Sequence, residues 1–342
     1  MQTLTVIIPC YNEEAVVDAA YERVRAVLDL MERDCGVRGS LLFVNDGSSD
    51  GTAQMLNARA KKDERVQVVH LSRNFGHQAA LSAGISFCHS DYAVVMDADL
   101  QDPPEVIPEM WRLMQEQEVD VVYGVRRERK GDSWFKRTTA KVFYRVLNGM
   151  SDFHIPVDTG DFRLMNREVL DAFRQLPEHN KYIRGLISWM GFTQMPYEYN
   201  RQARVAGETK YSLGGMVSLA LNAMQYFSNK PLRLAMSLGY IAVLLAVLLG
   251  LWVFLGKLLG FTHPETGWSS IIVVLTFFAG VQLICLGMLS NYVATIFDEV
   301  KRRPEYIVAR TINIDEQKNK DSDRQRSTTA ATDPEAGAYH GQ

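Results

Sequence analysis

Asp97 and Asp99 stand one residue apart at the end of an apolar run, Val94-Val95-Met96, and Gln101, Asp102 and the pair Pro103-Pro104 follow them. Such a run, closed by polar residues, reads as a buried strand, and the prolines suit the opening of a helix. The carboxylates then fall at the carboxyl end of a strand, where ligands bind in open α/β sheets. Hard divalent cations take oxygen ligands, and Mg²⁺ commonly uses one or two carboxylates while substrate phosphates complete its shell. Asp-x-Asp is therefore a candidate site for a metal ion held together with a phosphorylated ligand. A solvated turn or a helix N-cap uses the same residue types, so the neighbouring loops must decide.

Two other strand ends carry similar chemistry. Leu4 to Ile8 is a β-branched run closed by Pro9 and followed by Cys10-Tyr11-Asn12-Glu13-Glu14; Leu41 to Val44 runs into Asn45-Asp46-Gly47-Ser48-Ser49-Asp50. Between them, Val16, Val17, Ala20, Val24, Val27, Leu28 and Met31 recur at helical spacing, predicting a helix from Ala15 to about Glu32. Further strands are expected at Val66–Leu71, Tyr92–Met96 and Val119–Tyr123, and further helices from His77 to about Cys88 and from Glu105 to Glu118. This alternation predicts an α/β domain with a mostly parallel sheet. In such a sheet the three polar loops converge on one face. No Gly-x-Gly-x-x-Gly or Gly-x-x-x-x-Gly-Lys-[Ser/Thr] occurs at these junctions, which disfavours dinucleotide and P-loop chemistry.

Composition narrows the partners. The 342 residues include 37 Lys+Arg and 40 Asp+Glu, a net charge of −3, without the basic excess expected of a nucleic-acid binder. The four cysteines are widely spaced, suggesting neither zinc nor a disulfide framework. Charge is instead local: Arg126 to Arg145 holds eight Lys/Arg against two acidic residues, with Trp134 and Phe135 interleaved. A solvated face has this composition, and so does a surface meeting anionic lipid headgroups. Asp158 and Asp161 flank Gly160 in a segment that reads as a turn before a helix at Arg167–Leu176. A basic, glycine-containing loop, Arg201 to Tyr211, has the arginines suited to gripping a pyrophosphate, or is an ordinary surface loop.

After Ser212 the pattern becomes apolar. An amphipathic helix over 212–232 precedes Leu234–Leu255, 22 residues without a charge, and Trp268–Phe297 is 30 more. Both exceed the roughly 20 residues that span a bilayer. Lys230 and Arg233 precede the first and Lys301-Arg302-Arg303 follow the second, so both termini are expected on the cytosolic side. The expected organisation is a cytosolic catalytic domain over 1–211, the juxtamembrane helix, a two-helix transmembrane anchor over 233–298, and a juxtamembrane segment with a disordered tail over 299–342. The N-terminus lacks the pattern of a signal peptide.

Over roughly Leu4 to Pro304 the chain resembles the family-2, GT-A-fold (Rossmann-like) glycosyltransferases of the polyprenyl-phosphate type, and among them the bacterial undecaprenyl-phosphate (bactoprenol) glucosyltransferases. The resemblance rests on Ile8-Pro9-Cys10-Tyr11-Asn12-Glu13, Asn45-Asp46-Gly47-Ser48-Ser49-Asp50, Asp97-Ala98-Asp99-Leu100-Gln101-Asp102-Pro103-Pro104, Asp132-Ser133-Trp134-Phe135-Lys136 and Gly207-Glu208-Thr209-Lys210-Tyr211. It implies a UDP-sugar donor, undecaprenyl phosphate as acceptor, Mg²⁺ or Mn²⁺, a homo-oligomer (tetrameric in some relatives) and a bacterial inner-membrane location. Pro9, Tyr11 and Glu13 would hold the nucleoside, Asp46 the base and Asp97 the ribose region. Asp99 and Gln101, with Asp97 beside them, would ligate the metal. Arg204 and Lys210 would meet the donor phosphates; Arg126, Lys136 and Arg137 the acceptor phosphate; Asp158 would act as base or sugar anchor. The implied reaction is an inverting in-line displacement. The sugar is expected to be glucose, with N-acetylglucosamine, modified arabinose or mannose as alternatives, and a non-catalytic nucleotide-sugar-binding protein is the rival reading.

Overall fold

The computed structural model describes residues 1–126, 159–178, 181–200 and 267–314, with helical positions scattered between 236 and 259. Its elements are β1 (Thr3–Cys10), α1 (Val17–Cys35), β2 (Arg38–Asn45), α2 (Thr52–Lys62), β3 (Val66–Leu71), α3 (His77–Phe87), β4 (Tyr92–Val95), a 3-10 turn (Pro104–Val106) leading into α4 (Ile107–Gln117), β5 (Val121–Arg126), β6 (Thr159–Asn166), α5 (Arg167–Gln175), α6 (Ile183–Trp189), β7 (Gln194–Tyr199), α7 (Trp268–Val300) and β8 (Val308–Ile312). The alternating pattern read from the sequence is present, with boundaries moved by a few residues.

Eight strands form one sheet in the order β7-β5-β6-β4-β1-β2-β3-β8. The centre is parallel, β1 lying between β2 and β4, with β3 beyond β2. Because helices cover both faces, β1 is buried along nearly its whole length, which is why its sequence is a continuous apolar run. On one face α1 packs Val17, Ala20, Val24, Leu28 and Met31, and it stops at Gly36, whose φ of 67° lets its N–H close on the Met31 carbonyl. On the other face α3 lies against β1 so closely that a Cβ at Gly84 would collide with Ile7 Cγ2. That contact fixes the helix whose first residue is His77.

Two strands depart from the parallel pattern. The turn reading of Val157–Arg163 gives way, from Thr159 on, to β6, antiparallel to both β4 and β5, so that Asp161 and Arg163 lie within the sheet. β8 is antiparallel to β3 and forms an edge of the sheet, an element not anticipated in the segment after the last apolar run.

The described residues fall into two compact units, one containing 1–126, 159–178, 181–200 and 304–314, the other containing the helical positions 236–259 and 267–303. In the second unit α7 is 33 residues long. Among the described residues, its Phe277–Val300 portion is the one helix long and apolar enough to cross a membrane, with a mean hydropathy of 1.6. None of that stretch is buried within the protein, which separates it from a core helix. The other expected span, Leu234–Leu255, is described only in part, and the segments 212–232 and 315–342 lie outside the described residues.

Candidate active site

The carboxyl ends of β2, β1 and β4 lie side by side, and each delivers a polar loop. The first two loops are laced together: Asn12 Oδ1 accepts from Ser49 N–H at 2.8 Å, Glu13 N–H donates to Thr52 Oγ1 at 2.9 Å, and Gly51 N–H donates to Glu14 Oε2 at 2.9 Å. Asn12 adopts a positive φ of 55°, a turn conformation Asn tolerates better than most residues. Tyr11 is exposed beside the buried Pro9. Asp46 is only 3% exposed. Its two oxygens accept from Phe75 N–H (2.7 Å) and Gly76 N–H (2.9 Å), so a contact to a base through Asp46 would be additional to these bonds. Those bonds also fix the loop that leads into His77.

The loop after β4 makes a tight turn. Asp99 Oδ1 accepts from Gln101 N–H at 3.1 Å, and Leu100 between them has a φ of 56° with its side chain fully buried. A bulky residue in the left-handed region is strained, and such strain persists where the surroundings over-determine it, often at functional sites. Gln101 Oε1 is buried and has no hydrogen-bond partner among the described residues. An orphaned amide oxygen two residues from Asp99 is a hard donor of the kind Mg²⁺ and Mn²⁺ accept. The residues therefore fit the metal that the sequence implied.

Asp102, 1% exposed, is held by Tyr199 O–H at 2.5 Å and by Arg126 Nη2 at 3.3 Å. Arg126 Nε also points at the Tyr199 hydroxyl, 3.4 Å away. Burial works against the Arg126 charge, but Asp102 and Tyr199 outweigh it and raise its pKa. Burial and Asp102 likewise push the Tyr199 phenol upward, so it stays a donor. This knot joins the ends of β5 and β7 to the loop after β4.

A second knot lies beside Asp97. Arg184, on α6, donates from Nε and Nη2 to the two oxygens of Asp161 at 2.6 and 2.9 Å. His77 Nε2 is 3.0 Å from Asp161 Oδ2 and 3.6 Å from Asp97 Oδ1. Burial alone would raise the Asp161 carboxyl, yet Arg184 and His77 hold it well below the usual carboxylate range. Burial lifts Asp97 to about 6, opposed by His77 and reinforced by Asp161, Asp102 and Asp99. His77, although burial opposes it, is raised by Asp161 and Asp97. His77, Asp97 and Asp161 each place a ligand atom within 4.8 Å of the others. A cation there would compete with the guanidinium already covering Asp161, so charge balance describes this cluster better than metal binding.

Of the residues expected at the site, Pro9, Tyr11, Glu13, Asp46, Asp97, Asp99, Gln101 and Arg126 are all on strand-end segments of this face. Lys136, Arg137, Asp158, Arg204 and Lys210 lie outside the described residues. Asp161, noted with Asp158 as the pair of carboxylates around Gly160, is brought into the site, together with His77, Asp102, Arg184 and Tyr199, which were not expected there. Asp102 and Asp161 belonged to motifs already noted, whereas nothing local marks His77, Arg184 or Tyr199.

The description "Glycosyl transferase family 2" matches residues 5–174. The chain is 45% identical over 313 residues to "Uncharacterized glycosyltransferase YkcC" of Bacillus subtilis (strain 168), covering 91% of this chain and 94% of that one. It is 37% identical to the "SfII prophage-derived bactoprenol glucosyl transferase" of Shigella flexneri, covering 90% and 98% respectively. Among solved structures, the mannosyltransferase PcManGT from Pyrobaculum calidifontis, in complex with GDP-Man and Mn²⁺, is 15% identical with a TM-score of 0.45, covering 87% of this chain and 86% of that one.

Proposed function

Because the chain belongs to glycosyl transferase family 2, we propose that this enzyme transfers glucose from UDP-glucose to undecaprenyl phosphate at a membrane surface, with inversion, giving a lipid-linked monosaccharide. The observation that carries the reading is the metal loop: Asp97 and Asp99 at a strand end, with the partnerless Gln101 oxygen behind them. The name of the Shigella relative supports the acceptor and the sugar. The unburied apolar surface of α7 supports membrane association.

A Mg²⁺ or Mn²⁺ ion held by Asp99 and Gln101, with Asp97 beside them, would supply positive charge to the departing nucleoside diphosphate. The chain's own residues do the rest. Tyr11 and Pro9 bracket the nucleoside, and Glu13 and Asp46 supply acceptors at its edge. Arg204 and Lys210 meet the donor phosphates, where a guanidinium fork matches phosphate oxygens. Arg126, Lys136 and Arg137 receive the acceptor phosphate; Arg126 is oriented for this by Asp102 and Tyr199. That phosphate is already anionic near neutral pH, so the site's chief task is to meet leaving-group charge, and Asp158 serves as a sugar anchor or auxiliary base. In this reading both termini are cytosolic, a second span covers Leu234–Leu255, and the enzyme works as an oligomer.

The test is a donor panel. Membranes containing the protein are supplied with undecaprenyl phosphate and labelled UDP-glucose, UDP-N-acetylglucosamine, a modified UDP-arabinose or GDP-mannose. Label from UDP-glucose should enter the organic phase. Label from another donor would reassign the sugar, and nucleotide-sugar binding without any lipid product would favour the non-catalytic rival.

A further inference from the structure

The segment entering β8 is bonded to α3. Glu305 follows shortly after the end of α7, and its carboxylate is largely buried. Oε2 accepts from Ser82 O–H at 2.8 Å and lies 3.8 Å from Lys181 Nζ. Only 13% of the Glu305 side chain and 10% of the Lys181 side chain are exposed. Ser82, fully buried, is on α3, the helix that begins with His77. Lys181 stands two residues before α6, the helix that carries Arg184. The two helices are also joined directly, Ile183 N–H donating to Gln78 Oε1 at 3.0 Å. The chain around Glu305 is itself pinned: Ser72 N–H donates to the Ile307 carbonyl at 2.9 Å, and Asn313 Nδ2 donates to the carbonyls of Ala60 and Val66.

One carboxylate therefore clasps the two elements whose side chains meet at Asp161 beside Asp97. A like-sized loop contact on the surface would hold neither in register. The Ser82 hydrogen bond is directional, and the Lys181 ammonium at ion-pair distance adds charge attraction to the same oxygen. Removing it takes this shared acceptor from the fully buried Ser82 hydroxyl and from Lys181, and with it one of the ties between the two helices.

We propose that Glu305 is a positioning residue for sugar transfer, fixing α3 and α6 so that His77 and Arg184 hold Asp161 and Asp97 in the reacting arrangement. The inference rests on the transferase reading above. It gives the segment after the membrane helix a part in the chemistry as well as in the sheet.

The experiment uses the full chain in lipid nanodiscs containing undecaprenyl phosphate. It compares wild type with Glu305→Ala, Glu305→Gln and Lys181→Met, recording kcat, the KM of each substrate and the Tm. A small misplacement of reacting groups costs up to about a hundredfold in rate, so Glu305→Ala should lower kcat at least about tenfold. Its KM for the lipid should stay unchanged and its Tm above the assay temperature. Glu305→Gln keeps an acceptor for Ser82 and should recover part of the loss. Lys181→Met combined with Glu305→Ala should add little to the latter alone. A wild-type kcat in Glu305→Ala overturns the proposal, as does a loss that merely follows the unfolded fraction. No transfer by the wild type overturns the transferase reading and this inference with it, a result distinct from active enzyme in every variant.

Discussion

Leaving a buried amide oxygen without a hydrogen bond costs roughly 1–3 kcal/mol, and Gln101 keeps one, among the described residues, at the strand ends. A protein retains such a group where something else uses it. Gln101→Met, similar in volume and without the orphaned oxygen, should therefore leave the Tm unchanged or raise it while lowering transfer at least about tenfold, the metal shell having lost a donor. Full activity in that variant would remove Gln101 from the metal site. Single residues also show how far the sequence could be read. Asp46, Asp97 and Asp99 were legible because each ends an apolar run, and a parallel sheet must bring such ends together. The contact of His77 and Arg184 with Asp161 was not, since it joins residues 84 and 23 positions apart. Only the packed positions of α3, β6 and α6 create it.

At the scale of elements, β3 shows a buried group tuned by its neighbours. His70 Nε2 lies 2.9 Å from Asn57 Oδ1 and Nδ1 lies 3.0 Å from Asn45 Nδ2, an arrangement satisfied by the neutral ring. A second proton on Nδ1 would face the Asn45 amide donor. Burial, with Arg310 of β8 adding to it, lowers the His70 pKa from 6.5 to about 4. The folded protein thus binds fewer protons than the unfolded chain between those values, so this contribution is present above pH 6.5 and is lost as the pH falls toward 4. Thermal melts of the full chain across that window should show the decline, and His70→Asn should flatten it; an unaltered slope would contradict the assignment. The elements least legible were β6 and β8. A single antiparallel strand inserted between parallel ones carries no period of its own. β8 is five residues with a half-exposed pattern, and its place is set by the free edge of β3.

Over the whole molecule, the first unit is an α/β domain whose ligand face lies at the strand ends, and the second exposes apolar side chains such as Leu244, Trp252, Phe277 and Ile284. Water does not favour that surface, and a bilayer does. In the proposed reading the strand-end face takes the nucleotide sugar and the exposed apolar helix faces lipid, which is what a sugar transferase acting on a lipid phosphate requires. Mass spectrometry of the lipid fraction tests this most directly, using purified full chain in nanodiscs holding undecaprenyl phosphate, supplied with UDP-glucose before and after chelation and on adding back Mn²⁺. The account predicts undecaprenyl phosphate heavier by one hexose residue, lost on chelation, restored by Mn²⁺ and absent for Asp99→Ala. The same product formed equally by Asp99→Ala, or formed undiminished after chelation, would contradict it.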